Sequence, residues 1–127
     1  MSAAFLTGGS GFLGWHAAKA LADAGTTVRA MVRGGKDRMT GLEELDVDVV
    51  DGDLSQDGIP SDALAGCSVV VHAAGLVKAR TLAEYREVNV AGTERLLAAA
   101  RRACPDALFL YVSSQAAAGP ARSGRPV

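Results

Sequence analysis

A chain of 127 residues accommodates one domain and excludes a second. With 49% hydrophobic residues it holds enough apolar material for a buried core, which excludes disorder as its resting state. The 13 Lys and Arg against 14 Asp and Glu leave a net charge of −1, so no overall field draws nucleic acid or an anionic membrane, and any anion must be held locally.

Short apolar runs alternate with longer helical stretches, the pattern of βαβ units feeding a parallel sheet. The first strand is expected over Ala3–Thr7. Gly8, Gly9, Ser10, Gly11, Phe12, Leu13 and Gly14 follow it, and an Ala- and Leu-rich helix is expected from about Gly11 to Ala24, with Gly25 placed for a left-handed cap. Two glycine registers coexist: Gly9, Gly11 and Gly14 fit G-x-G-x-x-G, while Gly8, Gly11 and Gly14 fit G-x-x-G-x-x-G. Glycines allow unusual φ in the turn, close approach of the backbone to a pyrophosphate and tight helix-on-strand packing, while the helix N-terminus faces the phosphates. Because a strand precedes the glycines and a helix follows, dinucleotide binding is preferred to a flexible linker. His16, on this helix, is given no role in chemistry.

The second strand is expected over Thr27–Arg33. At its end an NAD site usually carries an acid for the ribose 2′-hydroxyl, whereas this chain has Val32 and then Arg33, with Lys36 and Arg38 in the same loop. That positive charge suits an adenosine 2′-phosphate, so NADP is expected, with NAD as the alternative and a solvated basic loop as the competing reading. Short helical turns are expected within Asp37–Leu45 and Pro60–Leu64. The third strand, Val47–Asp51, runs into Gly52, Asp53 and Leu54, placing a carboxylate beside the expected adenine unless Asp53 only forms a turn.

The fourth strand, Ser68–Ala73, contains His72, read as a packed strand residue. It leads into Ala73, Ala74 and Gly75, small enough for a cofactor to lie against the main chain at the switch point beside strand one. One helix is expected from Leu82 to Ala103, with Val88, Leu96 and Ala98–Ala100 toward the sheet and Arg101 and Arg102 at its C-terminal dipole. The fifth strand, Leu108–Ser113, ends at the paired Ser113 and Ser114, where a hydroxyl donates to a substrate oxygen or caps a loop. All five strands are expected to be covered on both faces, and the tail from Ala116 to Val127 to be loop. Right-handed crossovers then give a three-layer Rossmann-type sheet of order 3-2-1-4-5. Cys67 and Cys104, 37 positions apart and without metal-ligand spacing, read as buried free thiols in a reducing compartment. No apolar run approaches the ~20 residues of a membrane span, so a soluble cytoplasmic protein is expected.

Jointly these features resemble the extended short-chain dehydrogenase/reductase family of NAD(P)-dependent epimerases, dehydratases and reductases of the dihydroflavonol-reductase and 3β-hydroxysteroid-dehydrogenase type. TGGSGFLG at Thr7–Gly14, DGDL at Asp51–Leu54, HAAG at His72–Gly75, VNVAGTERLL at Val88–Leu97 and YVSS at Tyr111–Ser114 carry the resemblance, which covers nearly the whole chain. It implies that Asp53 contacts the adenine, that Asn89 braces the active-site backbone from inside a helix, and that Ser114 is the catalytic Ser/Thr. The expected cofactor-binding set is Gly8, Gly11, Phe12, Leu13, Gly14, Arg33, Asp53, Leu54, Ala73, Ala74, Gly75, Asn89 and Ser113.

Two departures matter. Ala118 stands before Gly119, where the family often has Tyr, which weakens the case for sugar-nucleotide substrates. The family's Tyr-x-x-x-Lys pair is missing, since Asn89 and Gln115 stand four residues after Tyr85 and Tyr111. The chain is therefore expected to be the cofactor-binding portion of a longer oxidoreductase, truncated after strand five and inactive alone. Such an enzyme moves hydride between a nicotinamide and a hydroxyl or carbonyl substrate of unknown identity. The alternatives are a nucleotide-sugar epimerase or dehydratase of the same family, and a non-catalytic dinucleotide sensor. Neither nucleic acid nor membrane is an expected partner, and the full-length protein could pair as a homodimer.

Overall fold

Valine- and leucine-rich runs too short for helices pair side by side, and the computed structural model, which describes residues 2–37 and 40–125, arranges them as one parallel sheet. The strands are β1 (Ala3–Thr7), β2 (Thr27–Val32), β3 (Asp48–Asp51), β4 (Val69–His72) and β5 (Leu108–Tyr111). Their order is β3-β2-β1-β4-β5, as expected from the sequence. The order reverses at β1, so a crevice opens beyond the C-terminal ends of β1 and β4, where open α/β sheets bind ligands.

Alternation along each strand divides the core in two. Phe5, Met31 and Val70 face a layer containing α2 (Ser61–Leu64) and α4 (Gly92–Ala103), where Leu64, Leu96, Ala99 and Ala100 are buried with them. Leu6, Val28, Ala30 and Val71 face α1 (Phe12–Asp23) and the segment around Leu42. Cys67 and Cys104 are free and buried in the first layer, and burial pushes both thiols up.

Several expectations need correction. β1 has the expected bounds, β2, β4 and β5 end one or two residues early, β3 and β4 begin one residue late, and the two edge strands are not covered on both faces. Asp48 and Asp51 are exposed on β3, and Leu108, Leu110 and Tyr111 on β5. On β5 the exposure of Leu108 and Leu110 follows from reach, because α1 packs on β1 and β2, whereas Tyr111 lies on the opposite face with Phe109. The single helix expected over Leu82–Ala103 is three pieces: α3 (Leu82–Tyr85), a π-helical turn over Arg86–Ala91, and α4. The buried stripe of α4 is Gly92, Leu96, Ala99 and Ala100, so Ala98 points to solvent instead of the sheet. Short 3₁₀ turns occupy Gly35–Asp37, Leu42–Glu44 and, in the expected loop of the tail, Gln115–Ala118. Arg38 and the tail's last residues, Pro126 and Val127, lie outside the described residues.

Candidate active site at the sheet switch point

The chain leaves β1 through Gly8, whose φ of +79° an L side chain rarely adopts, and a Cβ there would stand 2.6 Å from the Ala73 carbonyl carbon and the Ala74 nitrogen. A Cβ on Gly14 would overlap the Gly8 carbonyl. Gly11 caps α1 between them, donating to the Gly8 carbonyl at 3.0 Å and accepting from Trp15 N at 2.9 Å. The geometry thus requires glycine at Gly8 and Gly14, the ends of the Gly8-Gly11-Gly14 register, while Gly9 packs toward Leu42. No side chain caps α1 and its first turn holds no acid, so its opening N–H groups are available to an anion.

A cleft of about 460 Å³ runs along this edge of the sheet, walled by Gly8 and Gly11, by Val32 and Arg33 after β2, by Asp53 and Leu54 after β3, and by Ala73–Gly75 after β4. The direction of Arg33 is set by a neighbour, since Gly34 N donates to Asp51 Oδ1 on β3 at 2.9 Å and ties the turn down. Across the cleft Asp53 Oδ1 accepts the Ser55 hydroxyl and, at 2.8 Å, the Ser55 amide. These bonds, the hydroxyl's first, hold the Asp53 carboxyl below its ordinary value, and the Arg33 cation acts in the same direction. Asp53 therefore both closes a turn and lines the cleft.

Asn89, in the π turn, grips the far end of the β4 wall at two points. Its Oδ1 accepts from Leu76 N at 2.7 Å and its Nδ2 donates to Leu76 O at 3.0 Å. Asn89 thus clamps the backbone that follows β4 from within the π turn. His72 is fully buried, packed as expected.

Other expected residues stand apart from the cleft. Phe12 and Leu13 are 84% and 55% exposed at the start of α1. Ser113 and Ser114 are exposed beyond β5, and Ser114 Oγ accepts from Ala116 N at 3.2 Å, capping the 3₁₀ turn. Lys36 is exposed outside the cleft, and Arg38 lies outside the described residues. Conversely, Glu87 and Arg95 line the cleft without having been singled out from the sequence. Arg95 Nη1 donates to Leu54 O at 3.0 Å and to Glu87 Oε1 at 2.7 Å. Residues eight apart on an unbroken α-helix diverge by about 80°. The extra residue of the π turn realigns them, so only that turn's presence could have revealed the pair.

A glycine turn closed to a Cβ at Gly8 and Gly14, an uncapped helix N-terminus, and a cation and a carboxylate lining one cleft together suit a dinucleotide: pyrophosphate at the turn, adenosine by Arg33 and Asp53. Among the described residues no group of three or more His, Cys, Asp or Glu is placed to hold a metal ion, and no helix is long and apolar enough to cross a membrane.

The chain is similar to known proteins. The chain is 40% identical over 124 residues to the 4-hydroxy-2-methyl-3-oxo-4-farnesyl-3,4-dihydroquinoline-1-oxide ketoreductase of Stigmatella aurantiaca, covering 97% of this chain and 36% of that protein. It is 41% identical over 119 residues to the ceramide reductase of Caulobacter vibrioides, covering 93% of this chain and 36% of that one. Among solved structures it is similar to MoeE5 in complex with UDP-glucose and NAD, with a TM-score of 0.76 and 28% identity over 94% of this chain and 39% of that one. The chain thus spans little more than a third of the length of the curated relatives it matches. The family model described as NAD dependent epimerase/dehydratase matches residues 4–126, and since that span contains both the glycine cradle and the whole cleft, the chain belongs to this family of nicotinamide-dependent oxidoreductases and epimerases.

Proposed function

We propose that the chain binds NADP in this cleft, as the cofactor-binding part of a reductase acting on a hydroxyl or carbonyl group. The observation that carries the reading is Arg33, which lines the cleft opposite Asp53 while the preceding Val32 offers no acceptor to a ribose 2′-hydroxyl. The Gly8 turn and the opening N–H groups of α1 take the pyrophosphate. Arg33 pairs with the 2′-phosphate and stacks on the adenine, Asp53 accepts from the adenine amine, and the small residues Ala73–Gly75 let the main chain approach the remainder. When bound, the nicotinamide gives or takes a hydride. Ser114, turned away from its cap, donates to the substrate oxygen.

The chain binds without turnover by itself, because no Tyr is followed four residues later by Lys. A positioned proton-transfer group contributes ~10²–10⁴-fold, and none is supplied here. The reductase relatives support this reaction class, whereas the likeness to a complex with UDP-glucose and NAD favours the second reading, an NAD-dependent enzyme of nucleotide sugars. The free thiols of Cys67 and Cys104 fit a reducing compartment such as the cytoplasm.

Calorimetric titration of NADP⁺ and NAD⁺ against the wild type and Arg33→Ala tests the proposal. A charge-assisted hydrogen bond contributes ~1.5–3 kcal/mol and ~1.4 kcal/mol is tenfold, so NADP⁺ should bind about ten- to a hundredfold more tightly and lose that advantage in the variant. Equal affinities in the wild type would assign the cleft to NAD, and a preference surviving Arg33→Ala would show that another group reads the 2′-phosphate.

A further inference from the structure

Thr7 and His72 are fully buried polar residues, and they are direct cross-strand neighbours at the C-terminal ends of β1 and β4. The hydrogens around them can be assigned from the bonds alone. Thr93 Oγ1 donates to the Asn89 carbonyl at 2.8 Å, so toward His72 Nε2, also 2.8 Å away, it can only accept. Nε2 therefore carries a hydrogen. A neutral imidazole protonated there has a bare lone pair on Nδ1, which lies 2.6 Å from Thr7 Oγ1, so the Thr7 hydroxyl donates to it. Thr7 Oγ1 in turn accepts the Ala74 N–H at 3.2 Å. Every donor in the chain, from the Ala74 amide through His72 to the Asn89 carbonyl, points the same way.

We propose that His72 is a positioning residue: as the neutral Nε2–H imidazole it holds the glycine turn after β1 and the π turn of Asn89 at a fixed separation, and so sets the 73–76 wall of the cofactor cleft. The inference rests on reading that cleft as a dinucleotide site. Residues 73–76 are gripped at both ends, by the contact of Gly8 with Ala73 and Ala74 and by the amide clamp of Asn89 on Leu76. Movement of the π turn relative to β1 would shift the wall as a unit. A second hydrogen, on Nδ1, would face Thr7 and force its hydroxyl away from its acceptor in a fully buried place. Burial also pushes the His72 pKa down. The groups facing the ring are Thr7 from β1, Thr93 from α4, and Phe109 and Tyr111 from β5 at ring separations of 6.3 and 5.7 Å. The Tyr111 phenol alone of these titrates, and none is a carboxylate that would favour an imidazolium.

The chain contains two histidines, so in His16→Gln, which replaces an exposed residue, the remaining imidazole signals of ¹⁵N-labelled protein belong to His72. Long-range ¹H–¹⁵N spectra should show the Nε2–H tautomer, still neutral at pH values where an ordinary histidine is protonated. An Nδ1–H tautomer, or protonation in the ordinary histidine range, would overturn the assignment. The second arm measures NADP⁺ and NAD⁺ affinity. His72→Phe and Thr93→Val should each weaken binding by about tenfold, the loss of one net hydrogen bond, and Thr93→Ser should restore it. Should His72→Phe fail to fold, Thr93→Val at a half-buried position carries this arm. Wild-type affinity in folded Thr93→Val would overturn the positioning role alone. Failure of the wild type to bind either dinucleotide would overturn the cofactor reading and the positioning role together, while the spectra still decide the tautomer.

Discussion

Gly8 and Gly25 share nearly the same backbone conformation, φ +79° and +81°, but differ in surroundings. A Cβ on Gly25 would meet nothing within 4 Å, whereas on Gly8 it would press into the Ala73–Ala74 backbone. Gly25→Ala should therefore cost only the left-handed strain, about 1–2 kcal/mol. Gly8→Ala adds a backbone displacement and should cost roughly 3 kcal/mol or more, together with the loss of dinucleotide binding. Urea unfolding of both variants, with a cofactor titration, checks this. Equal stabilities would show that the turn does not approach β4 as closely as described. Arg33 and Asp53 make the complementary point for side chains. Each is ordinary alone, but both line one cleft and the Arg33 cation acts on the Asp53 carboxyl.

At the scale of elements, β4 joins the sheet to the cleft through one imidazole. Folded, the chain disfavours His72 protonation because the ring is buried; unfolded, the same side chain takes its ordinary value. Between those two values the unfolded state binds the extra proton. The contribution of His72 is thus fully present above the ordinary histidine range, about pH 6.5, and is lost as pH falls from there through the lower folded value. Unfolding free energies measured across this interval should fall with pH more steeply in the wild type than in His72→Gln, which has no proton to take up. Parallel profiles would show that His72 titrates alike folded and unfolded. The neighbouring helical stretch is built the same way, from local parts under a tertiary constraint. The Thr81 hydroxyl caps α3 by accepting from Glu84 N at 3.1 Å, whereas the π turn directs Asn89 to Leu76 and Glu87 to Arg95.

The two sheet edges of the whole molecule are unlike. β3 carries the exposed carboxylates of Asp48 and Asp51, charges that discourage further strand pairing. On β5, Leu108, Leu110 and Tyr111 are 65%, 45% and 53% exposed, with no charge among them. An apolar edge of this kind invites association. Sedimentation velocity across the micromolar to millimolar range should show self-association that Leu110→Lys reduces and Asp48→Asn does not. A monomer throughout that range would show the β5 edge to be protected after all.

Much of this was legible in one dimension. Strand order follows from short apolar runs separated by helix-length segments and from the handedness of crossovers, which depend on local periodicity and chain chirality. The glycine turn is legible because Gly8, Gly11 and Gly14 act within one turn and one helix start, whereas the clamp of Asn89 on Leu76 joins residues 13 apart. Other features depend on residues far apart in sequence. Gly34 and Gly35 leave the direction of Arg33 open until Asp51, on another strand, captures the Gly34 amide. The exposure of Leu108 and Leu110 on β5 follows from how far α1 reaches across the sheet, which no strand pattern encodes. The pairing of Glu87 with Arg95 requires the π turn, and the orientation of the His72 hydrogens requires hydroxyls from β1 and α4 on opposite sides of one ring. Periodicity and local motif determined the strands and the glycine turn. Hydrogen bonds between residues distant in sequence, whose partners are defined only once the sheet and helices pack, decided the site's second wall.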